Sequence, residues 1–240
     1  MRRSGILFLS FAVLSVTGAM AQDLKWEFSA KAGYTLSNGV DADKLAVEGT
    51  NQEVVRIAPK SGPSWGMQLD YLAFEHVSFG FLWDMQFSKL IFKTQDLSNP
   101  PADVVTIPAG DHEIADMKLY NYYGVATYNF GDRDSKIRPF FFGGLGAVHY
   151  DPGELLEKPT ASSGSSDPGS ITRFTSTWGG GIKAYLSSSV GVRAGVRWTP
   201  THISSVPVGF FCTSEWGCAV SATNQYSHQL VWNGGFMIRF

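Results

Sequence analysis

The sequence lacks any apolar run long enough to cross a membrane as a helix. Its longest, Ile6–Val16, is about a dozen residues, against the ~20 that such a helix needs. Cysteine is scarce, with only Cys212 and Cys218; two thiols and no clustered histidines do not build a zinc site, so no metal or cofactor is expected. An excess of basic charge is also missing. Lys and Arg number 19 against 21 Asp and Glu, a net charge of −2, which argues against a nucleic-acid partner. There is no Gly-x-Ser-x-Gly, and His76, His112, His149, His202 and His228 are scattered without a spaced acid partner. No catalytic residue is assigned, and a non-enzyme is expected.

What is present begins with Met1-Arg2-Arg3, the short apolar core and Ala19-Met20-Ala21. A charged start, a brief apolar stretch and an Ala-x-Ala end predict a secretory signal peptide over 1–21. The mature chain would then be 22–240, a single domain. Removing Arg2 and Arg3 leaves 17 basic and 21 acidic residues, a net charge of −4. Export to an oxidising compartment predicts that Cys212 and Cys218 pair. A loop of that size would stabilise the fold by ~2–3 kcal/mol on the chain-entropy account. Aromatics make up 14% of the chain and glycines number 26, a composition that suits strands greasy on one face only.

Period-two alternation is clearest in the last sixteen residues. Tyr226, His228, Leu230, Trp232, Gly234, Phe236, Ile238 and Phe240 form one set; Gln225, Ser227, Gln229, Val231, Asn233, Gly235, Met237 and Arg239 form the other. That is a strand with two unlike faces. Leu24–Leu36 repeats the pattern, as do Trp65–Ala73, Val77–Ser88, Arg173–Leu186 and Val190–Thr199. Two further strands are expected over 114–130 and 138–150. In the first, Tyr120, Tyr122, Ala126 and Tyr128 compete with Leu119, Tyr123 and Val125 for one face, which a bulge would reconcile; the Phe-rich, Gly-rich second is equally ambiguous.

The count is eight strands, joined alternately by long and short links. The long ones, about twenty residues or more, are Ser37–Pro63, Lys93–Asp111, Asp151–Ser170 and Pro200–Thr223. This asymmetry predicts an all-β, eight-stranded antiparallel up-and-down transmembrane β-barrel. Ten strands would result if Val54–Ile57 or Val104–Ile107 crossed separately. A soluble calyx would instead put its apolar stripe inside. The polar stripe carries Lys25, Glu27, Lys31, Asp70, Asp84, Arg173, Lys183, Arg193, Arg197 and Arg239, and is expected to line the lumen as a charge network.

The signal, the eight alternating strands and the terminal aromatic residue resemble the small outer-membrane β-barrel family, which includes the membrane domain of outer membrane protein A and OmpX-like proteins. Pro139–Gly146 is similar to a strand of that family. Phe236, Ile238 and Phe240 resemble its C-terminal assembly signal, read by the barrel-assembly machinery. The resemblance implies the bacterial outer membrane as location and its lipid as surroundings.

Three functional expectations follow. The first is a structural or surface-interaction role, with long extracellular loops carrying an external ligand on a rigid scaffold. Phe210, Phe211 and Trp216 beside the cysteines suit such contact. The second is a small porin-like channel of weak anion preference, since the predicted lumen holds seven basic and three acidic residues. The third, an outer-membrane enzyme, is the weakest.

Overall fold

A computed structural model describes residues 24–46, 50–103, 106, 108–155, 170–203, 212–213, 217–218 and 225–240. The expected signal peptide and most of Val104–Ile107 lie outside these residues, as do Phe210, Phe211 and Trp216. In chain order the strands are β1 (Trp26–Asn38), β2 (Val40–Ala46), β3 (Gln52–Pro59), β4 (Gly62–Leu72), β5 (Val77–Asp96), β6 (Asp111–Asn129), β7 (Ile137–Leu155), β8 (Ile171–Tyr185), β9 (Val190–Ile203), β10 (Cys212–Thr213), β11 (Gly217–Cys218) and β12 (Gln225–Arg239).

Eight of them close a ring in which every pairing is antiparallel. Around it run β4, β1, β12, β9, β8, β7, β6 and β5, and β5 returns to β4. The first and last strands seal the ring. Trp26 N–H donates to Phe240 O and Phe240 N–H to Trp26 O, each at 2.9 Å. Closure leaves the ring itself no free edge, which is how a strand fold satisfies its backbone inside a bilayer.

The stretch Ser37–Pro63, expected as a loop, is mostly strand. β2 pairs with β3, and β3 pairs with the upper part of β5 from Leu90 to Asp96. Lower down, β5 pairs with β4 from Ser78 to Gln86. So β1 with β2, and β3 with β4, are two long strands each broken once, and ten segments make eight walls. Val54–Ile57 belongs to one of those walls rather than to an extra crossing. The first break falls at Gly39, where a Cβ would lie 1.8 Å from Ile57 O; only glycine lets the chain pass so close. The other expected loops also shrink, because β5 runs on to Asp96, β7 to Leu155 and β9 to Ile203.

In the lower wall the apolar stripe faces out. Phe81 is 53% exposed and Phe236 71%, while Leu82 beside Phe81 is fully buried. On β5 the outward apolar residues run nine positions from Phe79 to Phe87, and on β6 nine from Tyr120 to Tyr128. A tilted strand crosses the hydrocarbon in about 9–11 residues, so this belt is one bilayer tall. Trp26, Trp65, Trp198 and Trp232 belong to it and are exposed.

Above the belt the two faces exchange character. Ala115, Met117 and Leu119 point inward and are buried, while Asp116 and Lys118 between them are exposed. Leu90, Phe92, Val148, Tyr150 and Ile203 join them from β5, β7 and β9, and Val40, Val54 and Ile57 from the β2–β3 hairpin, in one apolar core. Burying a side chain of this size contributes roughly 1.5–3 kcal/mol. This upper storey is built like a soluble barrel, dry inside and charged outside. Register shifts at Leu90/Ile91 and at Ala115/Met117 fall within it.

That exchange settles the two ambiguous strands. On β6, Tyr120, Tyr122, Ala126 and Tyr128 face out and Leu119, Tyr123 and Val125 face in, with no bulge between them. On β7, Arg138, Phe140 and Phe142 face in, and Ile137, Phe141 and Leu145 face out.

Candidate functional site

The lumen of the lower wall is a column of charge stacked in three tiers. Alternation supplies the tiers, because every second residue of each strand points into the lumen. In the lowest tier Glu27 of β1 is shared. Lys183 Nζ lies 2.5 Å from its Oε1, Arg239 Nε 3.3 Å from its Oε2, and Tyr185 donates its hydroxyl to that Oε2 at 2.9 Å. The Arg239 guanidinium also sits 3.6 Å from the centre of the Tyr185 ring.

In the middle tier Arg193 lies 4.0 Å from Asp70, donates to Ser29 Oγ at 3.2 Å and stands 4.7 Å over the Phe140 ring. Gln68 joins neighbours here. Its Nε2 donates to both Asp70 oxygens at 2.9 Å, and its Oε1 accepts from Lys31 Nζ at 2.9 Å. In the upper tier Arg197 pairs with Asp84, which accepts from Asn121 Nδ2 at 2.6 Å; Tyr123 donates to Asn121 at 3.1 Å. A threonine layer follows, with Thr201 Oγ1 3.1 Å from Thr175 Oγ1 and Thr177 Oγ1 3.3 Å from Thr199 Oγ1. The apolar core of the upper storey closes the column.

Among the described residues the side chains leave little space in the column. Two cavities along it, one at the turn end beside Glu27 and Arg138 and one beside Asp84 and Arg197, hold about 20 and 10 Å³, no more than a water or two. A larger hollow, about 610 Å³, lies at the end where the short turns gather, against Arg133, Lys136, Tyr185, Leu186 and Arg239.

Of the ten residues expected in the lumen, nine project inward. Arg173 stands above the others and is half-buried. Lys25 is the exception: it precedes β1, is exposed, and has no side-chain partner among the described residues. Arg138, 1% exposed, takes its place in the tally. Its Nη2 donates to Glu75 O and Gly131 O, both at 3.3 Å. Seven cations still face three carboxylates. Also outside the expected set were Phe140, Tyr123 and Tyr185, because aromatic residues were expected to face lipid. Arg138, at the start of its strand, carries the signal that reverses this: a cation there fixes the phase, and Phe140 and Phe142 follow it inward.

His149, His202 and His228 lie on the outer surface toward the upper end of the belt. His228 stacks on Trp198 at 5.7 Å and on Tyr226 at 6.4 Å, and His202 meets Tyr226 edge-on at 5.3 Å. His149 lies 2.8 Å from Thr172 Oγ1 and 6.1 Å from the Tyr120 ring. Among the described residues, no three His, Cys, Asp or Glu gather as a metal site would require. Outside the upper storey, Lys60 and Lys89 grip Glu113 at 2.7 and 2.5 Å. Their hydrogen bonds, Lys60 first, pull the Glu113 carboxyl down to about 2. At the loop end Cys212 and Cys218 are direct register partners in the two-residue ladder of β10 and β11.

No protein-family model matches the sequence, and no curated protein matches it. Solved structures do. Neisserial surface protein A is similar over 90% of this chain and 97% of its own, at 14% identity and a TM-score of 0.50. The outer membrane protein OprG from Pseudomonas aeruginosa matches over 90% and 96%, at 14% identity and a TM-score of 0.48. AlkL, solved in lipid bilayers, matches over 93% and 94%, at 14% identity and a TM-score of 0.47. At these identities the likeness is one of architecture, and the chain has the fold of the small eight-stranded outer-membrane β-barrels.

Proposed function

We propose that the chain is an integral protein of the bacterial outer membrane that acts as a closed scaffold, holding an extracellular rim clear of the lipid, with a structural or surface-binding role and no catalytic one. The observation that carries this reading is the crowded lumen: among the described residues, three charge tiers and an apolar core, with cavities of about 20 Å³ or less along the column. Ions need a continuous wet path, and a dry apolar constriction blocks one. The short turns would face the periplasm and the upper storey the exterior. Export would use the 1–21 signal, and insertion the assembly machinery through Phe236, Ile238 and Phe240. Planar-bilayer recording of the refolded protein should give no resolved conductance; steady single-channel steps would contradict the closed scaffold.

The second reading, a narrow anion-preferring pore, draws on the lumen's seven cations against three carboxylates. It predicts a small conductance whose reversal potential favours chloride over potassium. A cation preference, or none, would dismiss it. In the same compartment we expect Cys212 and Cys218 to form a disulfide. Intact-mass analysis after alkylation, with and without reductant, would show two added groups only after reduction; alkylation without reductant would refute it.

A further inference from the structure

The outward stripe that faces hydrocarbon keeps its height on the arc beyond β6. It runs nine positions from Pro139 to Ala147 on β7, from Val190 to Trp198 on β9 and from Leu230 to Ile238 on β12. His149 and His228 are the first outward residues above it, and His202 is the second, after Pro200. On β5 and β6 the first outward positions, above Phe87 and Tyr120, hold Lys89 and Lys118. The border between hydrocarbon and water is thus edged by lysine on one arc of the barrel and by histidine on the next.

The two arcs differ in their counter-ions. Lys89 is held by Glu113 at 2.5 Å and stands opposite Asp116, and Lys118 stands opposite Asp151. No acid stands opposite the histidines. His149 is flanked by Tyr120 and Thr172, His202 by Tyr226, and His228 by Asn38 and Pro200. From β8, Thr172 and Phe174 point outward, and neither is charged. The charged groups bordering this arc come in opposite pairs. Lys118 and Asp151 lie one step above Tyr120 and His149. Arg56 is bound to Asp41 at 2.7 Å and reaches the arc through Asn38 Oδ1, which accepts from its Nη1 at 2.9 Å. His202 and His228 share the Tyr226 ring between them, and His228 Nδ1 has no hydrogen-bond partner.

We propose that His149, His202 and His228 form a pH-dependent contact surface for the phosphate headgroups of anionic lipid in the surrounding leaflet. Histidine is the side chain whose charge changes between pH 5 and 8. A cation gained on this arc meets no carboxylate of the protein in register, whereas lipid phosphates stand at this height, just above the hydrocarbon. Both N–H groups of an imidazolium can donate to phosphate oxygens. When neutral, the same rings are ordinary interfacial side chains stacked on Tyr226 and Trp198. The contact rests on the reading of the chain as a membrane scaffold, but not on whether the lumen conducts.

The test uses the refolded full barrel in phosphatidylcholine vesicles carrying a trace of spin-labelled phosphatidylglycerol or spin-labelled phosphatidylcholine. Electron spin resonance measures how much of each label is immobilised at the barrel surface. Selectivity for phosphatidylglycerol should rise roughly twofold, averaged over the lipid shell, as the pH falls from about 8 to about 5.5 at constant ionic strength. The combined variant His149→Gln, His202→Gln and His228→Gln should keep the selectivity seen at the higher pH and lose the rise. If that variant fails to fold, as read by heat-modifiable mobility, His202→Gln and His228→Gln alone should each remove part of the rise. A selectivity independent of pH in the wild type, or a full rise in the variants, would overturn the contact while leaving the scaffold in place. Failure to insert into the vesicles at all would overturn the scaffold and the contact together.

Discussion

At the residue scale the lumen is governed by what happens when one member of a buried pair is lost. Asp84 is nearly buried and bound to both Arg197 and Asn121. Asp84→Asn should cost about 3–5 kcal/mol, because it strands the Arg197 guanidinium. Asp84→Leu combined with Arg197→Met should cost less than Asp84→Asn alone. Urea unfolding in lipid vesicles measures both; equal costs would show that the pair is not a charge pair in the folded protein. On the outer surface Glu113 gives a pH signature. Its folded pKa of about 2 lies below its ordinary 4.5, so it stabilises the fold above pH 4.5 and loses that contribution as the pH falls through 2. Glu113→Gln should flatten this part of the acid melting curve, and an unchanged slope would remove Lys60 and Lys89 as its partners.

At the element scale the breaks in the walls matter most. Gly39 lets β2 turn away from β1 while its backbone rests on β3. Gly39→Val should undock the β2–β3 hairpin and leave the lower ring intact. Limited proteolysis would then cut within 40–59 while heat-modifiable mobility of the barrel persists; an uncut hairpin would show that the close approach is dispensable. The same elements show what the sequence could reveal. The lower walls of β1, β4, β5, β8, β9 and β12 were legible, because a lipid-facing stripe and a charged lumen make every second residue different in kind. β2 and β3 were not. Val40, Ala42, Val54 and Ile57 are buried toward the core while Asp41 is exposed, and in a chain presumed to follow one sidedness these strands pass for polar loop. Likewise Tyr123, Phe140 and Phe142 were ambiguous, since an aromatic ring suits either a lipid face or a lumen cation. Nine residues of the polar stripe lie on the inward face that alternation assigns them, while Lys25 precedes β1, since periodicity does not reveal where a strand begins.

At the scale of the whole molecule, two solvents shape one cylinder. Where hydrocarbon surrounds it, apolar side chains point out and charges gather inside. Where water surrounds it, the order reverses, and the level of reversal is the membrane surface. The closed lumen follows from the same arrangement, since charge fills the lower interior and an apolar core seals the upper one. The most direct test is a nitroxide scan of the refolded barrel in vesicles, comparing relaxation by lipid-dissolved oxygen with that by a water-soluble nickel chelate. Labels at Phe81, Tyr122 and Phe236 should respond to oxygen, labels at Lys89, Asp116 and Lys118 to nickel, and a label at Met117 to neither. Nickel access at Met117, or oxygen-dominated relaxation at Lys118, would contradict the account.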